Sequence, residues 1–207
     1  MKKLALIALL AATAATPVLA GDVYVVGSVG QSSADINKGR LDGLLTNAGA
    51  TGLSSSVDKN DIAYKAQVGY QFNPYFAVEG GYIDLGKAKY SASATGGTYK
   101  QEGNASGFNI AAVGILPINE SFSLFGKLGV IDAKVEGSAR GTGGAVNLNG
   151  SANATKIKPT YGIGATYNVS KQLGIRVEYE LFSKLGDSNK TGEADVSVVS
   201  VGIAYKF

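Results

Sequence analysis

Apolar and polar residues alternate along most of this chain with a period of two, which is the side-chain spacing of a β-strand. In the clearest segment one face carries Ile62, Tyr64, Ala66, Val68, Tyr70 and Phe72. The opposite face carries Ala63, Lys65, Gln67, Gly69 and Gln71. About eight segments share this alternation: 22–30, 61–72, 75–84, 104–116, 121–134, 156–168, 172–183 and 195–207. The pattern predicts an all-β protein, with a shift of phase near Gly114 in the fourth segment.

The gaps between these segments are alternately long and short. The long gaps are rich in Gly, Ser, Thr, Asn and Asp and cover 31–60, 85–103, 135–155 and 184–194. Tight turns are predicted at 73–74, 118–120 and 168–171. Each segment has about 9–13 residues, enough to cross a membrane as a tilted strand. We therefore predict one antiparallel up-and-down transmembrane β-barrel, with short turns at one end and long loops at the other.

Aromatic side chains are placed near the ends of the predicted strands. Phe72, Tyr75 and Phe76 flank one tight turn, Tyr167 lies at another, and Tyr205 and Phe207 lie at the end of the sequence. Aromatic girdles occupy such positions at the two interfaces of a membrane. These residues therefore favour a membrane barrel over a soluble sandwich or a lipocalin-like barrel, which show the same alternation.

Composition supports this interpretation. The chain contains 29 Gly, which disfavours long helices because each glycine costs a helix about 1 kcal/mol relative to alanine. It contains 0 Cys, so neither disulfides nor cysteine chemistry is available. The formal net charge of +3 comes with no basic patch, so we expect no nucleic-acid partner.

Residues 1–20 are predicted to be a cleavable signal peptide. Lys2 and Lys3 supply the basic start, an apolar stretch follows over 4–15, and Val18-Leu19-Ala20 matches a cleavage site. We expect cleavage between Ala20 and Gly21, which makes 21–207 the barrel domain and directs the protein to the Gram-negative outer membrane.

The final segment resembles the C-terminal assembly signal of outer-membrane barrels. Its residues Ser200, Gly202, Tyr205 and Phe207 place aromatics at alternate positions up to the last residue. The barrel assembly machinery is therefore an expected partner during biogenesis.

The sequence GYQFNPYFAVEGGYIDLG at 69–86 resembles a hairpin of the OmpA-like transmembrane domain family. The segments 126–129, 176–179 and 201–207 are similar to the same family. The resemblance implies an eight-stranded barrel with periplasmic termini and four extracellular loops. It further implies a network of inward charges, although Val113 and Thr166 stand where better-known relatives carry a lysine and a glutamate.

Four charged residues fall on predicted inward faces: Glu79, Lys127, Arg176 and Glu178. Lys65 and Glu180 are candidates to join them. The interior of an eight-stranded barrel is filled by side chains, so these charges must pair with one another. We expect Arg176 to pair with Glu79, with Glu178 as the alternative. Such a network is either a structural plug or the gate of a narrow ion path.

Three classes of function fit a small secreted barrel. A structural or surface-exposed barrel that supports outer-membrane integrity fits best. An outer-membrane enzyme is disfavoured because the chain contains 0 His to act as a general base. A lipocalin-like carrier is disfavoured because the face opposite the apolar one is too charged to line an apolar cavity. We expect no catalytic, metal or cofactor site, a monomer, and outer-membrane lipid and lipopolysaccharide as partners. The alternatives are a narrow gated pore and a loop-mediated adhesin.

Overall fold

Nine strands and one helix form the part of the chain that the computed structural model describes, residues 21–143 and 148–207. In chain order they are β1 (Asp22–Ala34), α1 (Lys38–Asn47), β2 (Ser54–Asp58), β3 (Asn60–Asn73), β4 (Phe76–Ala94), β5 (Gly97–Pro117), β6 (Phe122–Gly143), β7 (Leu148–Asn168), β8 (Leu173–Asp187) and β9 (Gly192–Lys206). The predicted signal peptide lies outside the described residues. No helix within them is long and apolar enough to cross a membrane.

Eight of these strands close into an antiparallel ring. Starting from β1, the neighbours around the ring are β3, β4, β5, β6, β7, β8 and β9, and β9 pairs with β1 again. The short strand β2 pairs with β4 beyond the end of the β3 pairing. The predicted all-β, eight-stranded antiparallel barrel is confirmed, and β2 is an addition to its rim.

The barrel exposes large apolar side chains on its outside and buries charged side chains in its interior, which is the reverse of a soluble protein. Ile157 is 71% exposed and Phe108 is 69% exposed, whereas Lys65 is 4% exposed and Glu79 is fully buried. The outward residues form an apolar band that includes 62–72 on β3 and 199–205 on β9. Because large exposed apolar surfaces are costly in water, this band is the surface that contacts lipid.

Several strands extend far beyond the predicted boundaries. The predicted loop 85–103 is instead the continuation of β4 and β5, which are joined by a tight turn at Thr95–Gly96. The predicted loop 135–155 is likewise occupied mainly by β6 and β7, and 31–60 contains α1 and β2. The prediction of long loops here was wrong because backbone pairing continues past the apolar band. Polar outward residues such as Glu102 and Lys134 replace the apolar ones there.

The predicted shift of phase near Gly114 is also wrong. β5 pairs with β6 without interruption from Gly97 to Pro117. The alternation looked irregular because the inward residues Val113 and Ile115 are apolar as well, and pack with the buried rings of Tyr24 and Phe125.

The three short turns share one hydrogen-bond pattern. The side-chain oxygens of Asn73, Asn119 and Ser170 each accept hydrogen bonds from the backbone N–H groups two and three residues later, over 2.8–3.2 Å. This local bond favours a tight reversal of the chain. We call this end of the barrel the turn end, and the end that carries α1 the loop end.

At the loop end, α1 packs across the extension of β4. Asn37 caps the helix by accepting a hydrogen bond from the Arg40 backbone N–H over 3.0 Å. Leu45 of the helix is buried against Tyr90 and Ala92 of β4. This small apolar cluster holds the helix at one side of the barrel mouth.

Candidate functional site: a charged cluster inside the barrel

Six charged side chains from four strands meet inside the barrel, and none of the six residues is more than 6% exposed. They are Lys65 of β3, Glu79 of β4, Lys127 of β6, and Arg176, Glu178 and Glu180 of β8. The structure thus brings together the four predicted residues and the two further candidates. We call these six residues the lumen charge cluster.

Glu79 is the most completely surrounded member of the cluster. Its Oε1 atom lies 2.6 Å from Arg176 Nη1, and its Oε2 atom lies 2.6 Å from Lys127 Nζ. The Tyr24 hydroxyl donates a third bond to Glu79 Oε1 over 2.6 Å. Of the two partners expected for Arg176, Glu79 is the nearer one, because Glu178 Oε1 lies 3.8 Å from Arg176 Nη2.

The two lysines connect the remaining carboxylates. Lys127 Nζ lies 2.6 Å from Glu178 Oε1 and therefore bridges Glu178 to Glu79. Lys65 Nζ lies 2.7 Å from Glu178 Oε2 and also donates to Glu180. All six charges thus belong to one connected set of ion pairs.

The cluster is electrically neutral, with three basic and three acidic side chains. Burying a single unpaired ion costs several kcal/mol, and only close pairing offsets that cost. A neutral, fully paired cluster can therefore fill the lumen, whereas any single charge removed from it leaves a partner uncompensated.

Glycines on neighbouring strands provide the space that the aromatic neighbours of the cluster occupy. A Cβ atom on Gly69 would overlap the Tyr24 ring, and a Cβ atom on Gly164 would overlap the Phe125 ring. The Phe125 ring in turn lies 3.9 Å from the guanidinium carbon of Arg176, a cation–π distance. Sequence reasoning missed Tyr24 and Phe125, although both occupy inward positions of their strands.

An apolar layer crosses the lumen on the loop-end side of the charge cluster. Phe182, Ile83, Ile131 and Val198 are each fully buried. They pack in one group with Ala63, Leu85, Ala133, Leu185 and Val196. We call this group the apolar layer. It was not predicted, and its signal in the sequence was the appearance of Ile83, Ile131 and Phe182 on the same strand faces as the charged residues Glu79, Lys127 and Arg176.

Two cavities lie on opposite sides of the charge cluster and the apolar layer. The turn-end cavity of about 910 Å³ reaches Glu79 and Arg176. The loop-end cavity of about 550 Å³ reaches Leu85, Leu185 and Val196 of the apolar layer. The charge cluster and the apolar layer thus occupy the lumen between the two cavities.

The residues of the predicted assembly signal lie on both faces of β9 and, for Phe207, directly after it. Ser200 is buried, and Gly202 pairs with Arg176 on β8. Tyr205 and Phe207 face outward at the turn end, with ring centroids 5.2 Å apart. Their role in assembly stays a prediction, as does cleavage before Gly21.

The two positions that depart from the family pattern lie close to the cluster. Val113 is opposite Lys127 in the β5–β6 pairing, and Thr166 is opposite Arg176 in the β7–β8 pairing. Both positions are uncharged here, and the three bases and three acids of the cluster come from other positions, Lys65 and Glu180 among them. Within the described residues, no group of three or more His, Cys, Asp or Glu side chains is arranged to hold a metal ion.

Comparison with known proteins places this architecture among outer-membrane barrels. Outer membrane protein A of Salmonella typhi is 30% identical over 150 residues, which cover 72% of this chain and 41% of that protein. The chain therefore spans about two fifths of the length of this relative.

Two solved structures show the same fold at low sequence identity. The attachment invasion locus protein of Yersinia pestis, in complex with the heparin analogue sucrose octasulfate, superposes with a TM-score of 0.53 at 19% identity, covering 91% of this chain and 100% of that one. Neisserial surface protein A gives a TM-score of 0.52 at 14% identity, covering 89% and 97%. Residues 19–207 match the family model described as the OmpA-like transmembrane domain, and this chain therefore belongs to that family of outer-membrane β-barrels.

Proposed function

We propose that this protein is a structural, surface-exposed barrel that contributes to outer-membrane integrity and does not conduct ions. The observation that carries the proposal is that two successive groups of side chains, the charge cluster and the apolar layer, fill the lumen. Phe182 and Ile83 of the layer are fully buried, as is Glu79 of the cluster.

The two fillings oppose ion passage for different physical reasons. The charge cluster has no net charge to offer a passing ion, and its members are held at 2.6–2.7 Å by one another. The apolar layer offers an ion no polar partner, and constrictions of this type block conduction by excluding water. A gated ion path, the alternative function, requires that both the charge cluster and the apolar layer open.

The orientation follows from the layout that is usual for the family. Outer-membrane barrels have short periplasmic turns and longer extracellular segments. We therefore assign the turn end, with Gly21 and Phe207, to the periplasm and the loop end to the cell surface. Outward-facing Lys100 then lies beyond the outer edge of the apolar band, where lipopolysaccharide phosphates are available to it.

A catalytic role is not part of the proposal. The chain contains 0 His, and the buried carboxylates are already engaged by Arg176, Lys127 and Lys65. A general acid or base must be free to exchange a proton with a substrate. We also propose that the barrel is monomeric.

A loop-mediated adhesin is the second candidate, and the projecting strands favour it. The β5–β6 pairing continues from Asn104 to Gly97, well past the apolar band, and presents a polar surface. Removing residues 98–103 together with their partners 137–142 should leave the pairing of the apolar band in place and should abolish adhesion if this surface is the adhesin.

Planar-bilayer recording on the refolded protein tests the main proposal. We expect background conductance for the wild-type barrel and for the charge-neutral double variant Arg176→Ala/Glu79→Ala, because the apolar layer still seals the lumen. A triple variant that adds Phe182→Ser, which places a hydroxyl in the layer, should conduct more than the double variant. Stable conductance steps in the wild type would overturn the proposal, and steps in the double variant alone would show that the charge cluster is the gate.

A further inference from the structure

The loop-end cavity has an apolar floor and wall. The floor is the upper surface of the apolar layer, formed by Leu85, Leu185 and Val196. One wall is α1, which contributes Leu41 and Leu44. The volume of about 550 Å³ is large enough to hold an aliphatic chain of moderate length.

The rim of this cavity carries an excess of positive charge. Four basic residues line it: Arg40, Lys59, Lys87 and Lys190. Within residues 21–143 and 148–207, none of these four forms an ion pair within 4 Å. Of the two acidic residues on the rim, Asp35 and Glu193, the latter is engaged by Lys158 Nζ at 2.7 Å. The charge available to a ligand is therefore predominantly basic.

The wall that α1 provides is fixed in place. The Tyr90 hydroxyl donates a hydrogen bond to Asp42 Oδ1 over 2.6 Å, and Lys38 binds the other oxygen of the same carboxylate at 2.8 Å. Leu45 anchors the helix on Tyr90 and Ala92, while Leu44 is 59% exposed beside the cavity. An exposed leucine at the edge of an apolar cavity is a surface that a bound aliphatic chain would cover.

We propose that the loop-end cavity binds an amphipathic anion, an aliphatic chain that ends in a carboxylate. The chain lies on Leu85, Leu185 and Leu44, and the carboxylate is held by the basic rim. Each buried methylene strengthens binding by about fourfold, and the paired charge selects an anion over a cation of the same length. Because the apolar layer closes the floor, the ligand enters and leaves from the loop end.

Titration with octanoate, followed by methyl NMR, tests this inference. The protein is used in nanodiscs of zwitterionic phosphatidylcholine, so that the lipid adds no net charge. We expect saturable shifts at the inward methyl groups of Leu185 and Val196. The lipid-facing methyl groups of Ile157 and Ile203 report partition into the bilayer and should shift without saturation. Octylammonium, which has the same chain and the opposite charge, should not saturate at the inward methyl groups.

Charge reversal at the rim separates the site from general adsorption. The double variant Lys59→Glu/Lys87→Glu changes only exposed residues and should weaken octanoate binding at least tenfold. Lys171→Glu, an exposed reversal at the turn end, is the matched control and should leave binding unchanged. Leu44→Glu should weaken binding as well, and it alters a residue that is exposed in the fold.

Three outcomes would overturn the inference. They are shifts that saturate equally with octylammonium, shifts confined to Ile157 and Ile203, and octanoate binding that the rim reversals do not weaken.

Discussion

Arg176 and Glu79 lie on strands β8 and β4, which are four strands apart in either direction around the ring. Their 2.6 Å ion pair therefore spans the full width of the lumen. A contact between opposite walls exists only when the ring is closed with the correct stagger, so this pair ties the charge cluster to the geometry of the whole barrel.

The variant Arg176→Ala should destabilise the refolded barrel strongly. It leaves Glu79 with Lys127 and Tyr24 and gives the cluster a net negative charge. Removing one partner of a buried ion pair typically costs about 3–5 kcal/mol of unfolding free energy. Adding Glu79→Ala should recover part of the loss, because Lys127 keeps Glu178 as a partner at 2.6 Å. Urea unfolding in lipid vesicles measures both variants.

Lys134→Ala is the control for this pair of variants. Lys134 lies 2.6 Å from Glu136 on the outer surface, and both side chains are more than half exposed. Exposed pairs contribute about 0–1 kcal/mol, so this variant should unfold close to wild type. If the Arg176→Ala barrel had the wild-type free energy of unfolding in urea, the Arg176–Glu79 ion pair would not stabilise the barrel.

The side-chain faces could be predicted from the sequence, and so could the Arg176–Glu79 pair, whereas the other contacts inside the barrel could not. Alternation by two fixes which face a residue such as Glu79 or Lys127 occupies, because it depends only on the strand itself. Which charges meet depends on ring closure and stagger, so the bridging position of Lys127 between Glu79 and Glu178 could not be derived.

The strand ends and the apolar layer were missed for a related reason. Alternation of apolar and polar residues marks only the stretch that lipid covers, and β5 and β6 continue beyond it with polar outward side chains such as Glu102 and Lys134. Phe182 occupies an inward position in β8 directly after the inward charged residues Arg176, Glu178 and Glu180. A single exception of this kind does not reveal that Ile83 and Ile131 lie at the same level.

Phe182→Ala should open a cavity in the apolar layer and destabilise the barrel by about 3–5 kcal/mol, because Phe182 is fully buried. Phe182→Leu retains most of the apolar volume and should cost markedly less. Urea unfolding of the two variants side by side gives the difference. Equal losses in both would mean that the layer is not close-packed around this ring.

Gly164→Val should prevent the Phe125 ring from occupying its position beside Arg176. A side chain at 164 overlaps that ring, and the backbone oxygen of Val177 closes the space from the other side. We expect a lower yield of the folded, heat-modifiable form on gels. Gly114→Val is the matched control, since a Cβ atom there meets nothing within 4 Å and faces outward. Equal folding yields for the two variants would contradict the proposed packing.

Docking of α1 on β4 should depend on pH at both extremes and be constant between them. Hydrogen bonding from Lys38, with Tyr90 adding to it, lowers the pKa of Asp42 from its ordinary 3.8 to about 2. The contribution of Asp42 is therefore fully present above pH 3.8 and is lost as the pH falls through about 2. Burial, together with the hydrogen bond to Asp42, raises the pKa of Tyr90 from 10.0 to about 12. Its contribution is fully present below pH 10 and is lost as the pH rises through about 12.

The Leu45 methyl resonance reports this docking, because Leu45 is buried against Tyr90. We expect a constant shift from about pH 4 to about pH 10, with a change at each extreme that follows the two pKa values above. Asp42→Asn should remove the change of the Leu45 shift at low pH. Tyr90→Phe should remove the change at high pH and leave the change at low pH in place. If the Leu45 shift still changed at low pH in Asp42→Asn, another carboxylate would be responsible for that change. The docking of α1 would then not depend on the Asp42–Tyr90 hydrogen bond.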